Sequence, residues 1–199
     1  MNSAVFLDRD GVINYNILND TVGQWESPHS LEDFRLFPWT IDSLRELQDL
    51  KLQLFLISNQ PSFAKGKISL ENIAAIQAKL HAILIDNKIY FSDYFYCYHH
   101  PAGIVPELST KCVCRKPGTF FIEKAAKEHI LDLKTCWMIG DRDSDIICGH
   151  NAGLMTIRVI DSDSMQQEAS STPNFKVNDL REAVDIIRTR IARSSNGRR

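Results

Sequence analysis

No segment of the 199-residue chain is apolar for long enough to cross a bilayer, which takes about 20 such residues. The first apolar run, Ala4 to Leu7, is also too short for the hydrophobic region of a secretory signal. Neither sign of charge dominates. The formal net charge is -2, which gives no indication of a nucleic-acid or membrane partner. The five cysteines are odd in number, so without a signal they read as reduced thiols and not as a disulfide framework. Internal repeats and low-complexity segments are missing. A monomeric, cytoplasmic protein is the expectation.

What is present is an ordinary globular balance, 44% hydrophobic and 24% charged, at a length that suits one domain. Ala4 to Leu7 reads as a buried strand ending at Asp8. Residues 14 to 38 read as a long loop, a length that is usually functional or disordered. Thr40 is placed to cap a helix carrying Ile41, Leu44, Leu47 and Leu50. Leu52 to Ile57 reads as a strand stopped by Ser58-Asn59-Gln60-Pro61. Ser69 then caps a helix with Ile73, Ile76, Leu80, Ile83 and Leu84 at helical spacing. Strands follow at Tyr94 to Tyr98, Cys136 to Ile139, Met155 to Ile160 and Phe175 to Val177. Helices follow at Thr119 to His129, Ser144 to Asn151 and Asp179 to about Ala192. Residues 161 to 173 read as a polar loop. The alternation predicts an α/β fold, a three-layer Rossmann-like parallel sheet with helices on both faces. One domain over residues 1–187 is expected, followed by a basic tail over residues 188–199 that holds five arginines.

In such sheets ligands bind at the carboxyl ends of strands. Three strand ends here are polar. After the first strand comes Asp8-Arg9-Asp10-Gly11-Val12-Ile13-Asn14, where two carboxylates two positions apart are expected to point the same way. Like charges so close need a cation or a shared proton. Magnesium suits them, since it takes one or two carboxylates together with phosphate and water. The second strand ends in Ser58-Asn59-Gln60, whose hydroxyl and N–H groups could hold phosphate oxygens. The fourth ends in Gly140-Asp141-Arg142-Asp143-Ser144-Asp145, three acids in five residues, with Asp143 or Ser144 placed to cap the next helix. Separately, Cys97, His99, His100, Cys112 and Cys114 cluster between residues 97 and 117. Three thiolates and one imidazole make a closed tetrahedral zinc set, which leaves no position for a reacting water.

These segments together resemble the haloacid dehalogenase (HAD) superfamily. Asp8 to Asn14 looks like its motif D-x-D-G-x-x-N. Ser58-Asn59, Lys116, and Gly140-Asp141 with Asp145 look like its second, third and fourth motifs, in the expected order. The cysteine loop, Cys97-Tyr98-His99-His100-Pro101 and Cys112-Val113-Cys114-Arg115-Lys116-Pro117, is similar to that of the branch holding heptose-bisphosphate and histidinol-phosphate phosphatases. The resemblance covers roughly residues 4 to 160. It implies a phosphatase without a large cap domain, acting on a small phosphorylated metabolite. Asp8 would be the nucleophile and Asp10 the acid–base group. Ser58, Asn59, Gln60 and Lys116 would hold the phosphate, with Arg115 and Arg142 on the rest of the substrate. Magnesium would lie between Asp8, the backbone carbonyl of Asp10, and Asp141. Zinc would be held by Cys97, His99, Cys112 and Cys114, which would fix the loop carrying Arg115 and Lys116.

Within the branch, the resemblance favours D-glycero-D-manno-heptose 1,7-bisphosphate, with the 7-phosphate removed, over histidinol phosphate. The slightly acidic balance argues against a polynucleotide phosphatase, which needs a basic groove. A non-catalytic zinc-stabilised partner-binding domain would be expected to have lost Asp8 or Asp10, and both are present. The second motif continues Pro61-Ser62-Phe63-Ala64-Lys65-Gly66, where the branch commonly has S-G-[IV]-A-R-G.

Overall fold

The computed structural model describes residues 2–20, 23–160 and 170–196. Its centre is β1 (Ala4–Leu7), buried at all four positions, as a continuous apolar run requires. β4 (Gln53–Asn59) and β6 (Trp137–Gly140) pair with β1 on its two sides, both in parallel. β5 (Asp93–Cys97) extends the sheet beyond β4. β7 (Met155–Val159) and β8 (Phe175–Val177) extend it beyond β6, giving the order β5-β4-β1-β6-β7-β8. Every pairing in this sheet is parallel. The chain therefore leaves β1 in one direction and later returns on its other side, and this switch point opens a crevice above the carboxyl ends of β4, β1 and β6.

Successive residues of β1 serve opposite faces. Val5 and Leu7 belong to one core, with Leu54, Leu56 and Ile139, under α1 (Thr40–Asp49), α2 (Leu70–Asp86) and α5 (Leu180–Asn196). Ala4 and Phe6 belong to the other, with Phe55, Ile57 and Met138, against α3 (Phe120–His129) and α4 (Asp143–Asn151). The period of two along the strand is what makes the fold three-layered.

Several local expectations change. The 14–38 segment is not all loop: β2 (Ile17–Asn19) and β3 (Gln24–Glu26) form a small antiparallel hairpin. Thr40 does not cap α1, because its hydroxyl donates to the Ile13 carbonyl at 2.7 Å and Trp39 takes the cap position. At α4 neither Asp143 nor Ser144 is the cap. Asp145 accepts the Arg142 N–H at 3.0 Å, while the Asp143 carboxylate is drawn away by Arg158, Ser170 and Ser171. Ser69 does cap α2, accepting the Asn72 N–H at 3.2 Å. The arginine-rich stretch from residue 188 is helical through Asn196, and residues 197–199 lie outside the described part. So do residues 161–169 of the expected polar loop. Among the described residues no helix is long and apolar enough to cross a membrane.

Candidate active site

The chain leaves β1 at Leu7 and bends at Arg9. The Arg9 carbonyl accepts N–H groups of Ile13 and Asn14 at 2.8 and 3.2 Å, which folds Asp8 to Asn14 into a tight turn. Gly11 has φ +80°, open to glycine at little cost. A Cβ on Gly11 would collide with the Asp141 carboxylate, so the turn also needs glycine for close approach.

The bend gives the two aspartates different surroundings, and they do not lie side by side on a strand as expected. Asp8 faces Lys116, whose Nζ lies 3.0 Å from its Oδ1. Lys116 is itself buried. Its ammonium also meets Asp145 Oδ1 at 2.7 Å and the Ile57 carbonyl at 2.7 Å, so all three N–H bonds are engaged. Burial works against the charged ammonium, but Asp145 and Asp8 outweigh it and hold the Lys116 pKa above its ordinary value. Asp10 instead faces Arg9, Asn14, Ser27 and Gln60. Burial alone would raise its pKa, but the Arg9 guanidinium and the three neutral donors hold the carboxyl below its ordinary value. Arg9 is 1% exposed, unusual for a side chain that carries a charge, and its pairing with Asp10 is what allows it.

Ser58, at the end of β4, is buried beside Gln60, whose Nε2 donates to Ser58 Oγ at 2.9 Å and to Asp10 Oδ2 at 2.6 Å. The Gln60 side chain thus ties Ser58 to Asp10. The Asn59 side chain donates to the Lys116 carbonyl and accepts the Lys116 N–H. β4 and the segment carrying Lys116 are locked together there.

Asp8, Asp141 and Asp145 bring carboxylate oxygens within 4.8 Å of one another. Burial pushes the Asp8 carboxyl up to about 6 and the Asp141 carboxyl up to about 8, with neighbouring carboxylates adding to both. Among the described residues Asp141 Oδ1 is buried with no hydrogen-bond partner, and Asn16 Nδ2 stands 3.5 Å from its Oδ2. Asp145 is already engaged, one oxygen by Lys116 and the other by the Arg142 N–H. An unpartnered carboxylate oxygen beside a second buried carboxylate, all donors being hard oxygens, fits a cation such as magnesium. Asp8 and Asp141 are the side chains free to meet it.

A second group stands at the rim. Cys97, at the end of β5, lies 3.5 Å from Cys112 and 3.4 Å from Cys114 between sulfurs, and Cys112 lies 3.3 Å from Cys114. His99 Nδ1 is 3.8 Å from Cys97 Sγ and 3.7 Å from Cys114 Sγ. A tetrahedron with zinc–sulfur bonds of about 2.3 Å has sulfur–sulfur edges of about 3.8 Å, so the four atoms surround a point that a metal ion would fit. His100 stands outside this group, and its Nδ1 accepts the Ala102 N–H at 3.1 Å. Cys136 and Cys148 are buried apolar-core residues. Arg115 hangs from the cysteine loop, donating its N–H to Cys112 Sγ and its guanidinium to the His99 carbonyl, each at 3.3 Å. Lys65 stands near it. Burial, then the charges of Lys67, Arg115 and Arg142, hold the Lys65 amine below its ordinary pKa. Arg142, half exposed, completes a cationic rim over the acid cluster.

The structure thus brings the expected residues to one crevice and adds Arg9, Ser27, Asn16 and Lys65. Arg9 could have been suspected from its place between two motif aspartates. Ser27 and Asn16 carry no sequence signal, since only the fold of the hairpin segment sets where they lie.

Known proteins are similar to this chain in sequence and in fold. A family profile described as HAD-hydrolase-like matches residues 113–183. A D-glycero-alpha-D-manno-heptose-1,7-bisphosphate 7-phosphatase of Photorhabdus laumondii is 37% identical over 151 residues, 76% of this chain and 78% of that protein. The D-glycero-beta-D-manno-heptose-1,7-bisphosphate 7-phosphatase of Escherichia coli K12 is 27% identical over 93% of each chain. In fold, the chain is similar to the crystal structure of a D,D-heptose 1,7-bisphosphate phosphatase from B. bronchiseptica complexed with magnesium and phosphate. That likeness has a TM-score of 0.78 over 96% of this chain and 99% of the other, at 22% identity. With 37% identity to a relative over 151 aligned residues, more than three quarters of each chain, the chain belongs to the HAD-like hydrolases, among the relatives of the heptose-bisphosphate phosphatases.

Proposed function

We propose that this crevice hydrolyses a phosphate monoester in two steps, with Asp8 as nucleophile and Asp10 as acid–base group. The observation that carries the reading is the contact of Asp8 with the buried, fully engaged Lys116, at the carboxyl end of the central strand. In the first step an Asp8 oxygen bonds to phosphorus while the bond to the substrate oxygen breaks, and Asp10, which takes up a proton once its pairing with Arg9 loosens, passes that proton to the leaving oxygen. In the second step water attacks phosphorus, Asp10 takes its proton, and phosphate leaves with Asp8 restored. Lys116, Ser58 and the Asn59 backbone supply positive charge and donors to the oxygens of the transferred group. Magnesium, held by Asp8, Asp141 and the Asp10 carbonyl, would neutralise charge and let a carboxylate approach an anionic phosphate.

The zinc reading of Cys97, His99, Cys112 and Cys114 is structural. Four protein ligands leave no open position, and the effect is to hold Arg115 at the rim. The rim of Lys65, Arg115 and Arg142 favours a substrate with a second anionic group, since arginine binds phosphate by paired hydrogen bonds. The relatives' names point to heptose 1,7-bisphosphate, and the same rim would repel an ammonium-bearing histidinol phosphate. Accordingly, we propose removal of the 7-phosphate of D-glycero-D-manno-heptose 1,7-bisphosphate by a single-domain, monomeric, cytoplasmic enzyme. The test is kcat/KM for the heptose bisphosphate against histidinol phosphate on the unmodified protein. Preference for the bisphosphate supports the assignment, and preference for histidinol phosphate overturns it.

A further inference from the structure

Ser27 lies just after β3, outside every motif of the site, yet its hydroxyl donates to Asp10 Oδ2 at 2.8 Å. The other donors to Asp10 come from the motifs themselves. Oδ1 accepts Arg9 Nε at 3.0 Å and Asn14 Nδ2 at 2.9 Å. Oδ2 accepts Gln60 Nε2 at 2.6 Å and Arg9 Nη2 at 3.2 Å. Among the described residues beyond Asn14, Ser27 alone reaches Asp10 from the hairpin segment.

That segment is anchored independently of Asp10. Next to Ser27, the Glu26 carboxylate pairs with Lys67 from the stretch after β4 and stands 3.3 Å from His29 Nε2. Farther along, α2 holds the segment twice: Asn72 Nδ2 donates to the His29 carbonyl at 3.3 Å, and Lys79 Nζ to the Leu31 carbonyl at 2.8 Å. The Ser27 hydroxyl is therefore presented from a fixed mount. It also differs in kind from its companions. Guanidinium and amide N–H groups only donate, whereas a hydroxyl can rotate to accept. When the Asp10 carboxyl carries its proton toward Ser27, the hydroxyl can turn to accept it by rotation about one bond, whereas an amide would have to turn end over end and a guanidinium cannot accept at all.

We propose that Ser27 is a positioning residue for Asp10, and that the 14–38 segment takes part in the reaction by presenting this hydroxyl. The inference rests on the reading of Asp10 as the acid–base group. Its consequence is selective. Help from a general acid matters for a sugar phosphate, whose alkoxide is a poor leaving group. It matters little for p-nitrophenyl phosphate, whose phenolate leaves unaided.

The experiment compares the full-length enzyme with S27A, S27T and D10N, on heptose bisphosphate and on p-nitrophenyl phosphate, in excess magnesium. S27A is expected to lower kcat roughly tenfold on the sugar phosphate with KM little changed, and less than about threefold on the aryl phosphate. S27T, which keeps the hydroxyl, is expected to recover most of the loss. Equal losses on both substrates, or no loss on either, overturn the proposal. D10N separates the two ideas. A leaving-group-dependent loss in D10N but not in S27A removes Ser27 alone. A D10N protein without that dependence removes the acid–base reading of Asp10, and the Ser27 proposal falls with it.

Discussion

Asn59 and Lys116, 57 positions apart in the chain, are bound to each other twice: the Asn59 amide donates to the Lys116 carbonyl at 3.1 Å and accepts the Lys116 N–H at 3.0 Å. The residue whose backbone N–H reads as a phosphate donor in the second motif is thereby also, through its side chain, the clamp that fixes the third. Asn59→Ala removes both bonds. At about 1 kcal/mol net for each, stability should fall by roughly 2 kcal/mol. The misplaced Lys116 should lower kcat/KM by about tenfold or more. Thermal melts and steady-state kinetics on one preparation check both. Unchanged kinetics would mean that Lys116 holds its position without the clamp.

The buried acids predict a pH dependence that magnesium should abolish. With metal chelated, a carboxyl whose folded pKa is raised favours the folded state most at pH below its ordinary value of 3.8. That contribution is lost as pH rises toward the folded value, about 6 for Asp8 and about 8 for Asp141. The Tm in chelator should therefore decline from about pH 4 to about pH 8, at about 2–4 °C for each kcal/mol lost in a chain of this size. Saturating magnesium should remove the decline, because the cation favours the ionised acids. Asp141→Asn should flatten the upper part of the curve. A chelated wild-type curve that rises over this range would contradict the assignment.

Removing the rim metal should separate activity from folding. Cys112→Ala loses one of the four proposed zinc ligands and the acceptor of the Arg115 N–H. The purified wild-type protein should carry about one zinc per chain, and the variant should carry little. Far-UV circular dichroism should keep the sheet signal while kcat/KM falls, because Arg115 loses its mount. An active wild-type preparation without zinc would rule out the structural-zinc reading.

Arg142→Ala tests the rim. The guanidinium is half exposed, so water screens its charge and the effect should stay near the low end of a charged hydrogen bond, about tenfold. The loss should fall on kcat/KM for the bisphosphate and much less on a sugar monophosphate. Equal losses would place Arg142 with the transferred phosphate instead.

The strands and their polar ends were readable because β1, β4 and β6 are apolar runs closed by motif residues, and period and punctuation carry that information locally. The cysteine loop was readable because thiols in this spacing have few other uses; the resemblance favoured His99 over His100, and the geometry groups His99 with the three sulfurs. The β2–β3 hairpin escaped because strands of three residues are too short to display alternation. Arg9 escaped because a lone arginine reads as solvated, and only the fold shows its charge cancelled by Asp10 inside the protein. Asp8 and Asp10 take different partners, which an alternating strand pattern could not foretell because β1 ends at Leu7, before either of them. Ser27 was invisible for the same reason as Asn16: their reach to Asp10 and Asp141 depends on how the hairpin segment folds back.

The central claim is that Asp8 is the nucleophile, and the most direct measurement is kcat for Asp8→Asn in excess magnesium, with thermal melts confirming that it is folded. The substitution keeps the shape of the side chain and removes the attacking carboxylate. The account predicts a loss on the order of 10³-fold or more, as when a covalent nucleophile is removed. Turnover within about tenfold of the unmodified enzyme would contradict it, and the aspartyl-phosphate route would have to be abandoned.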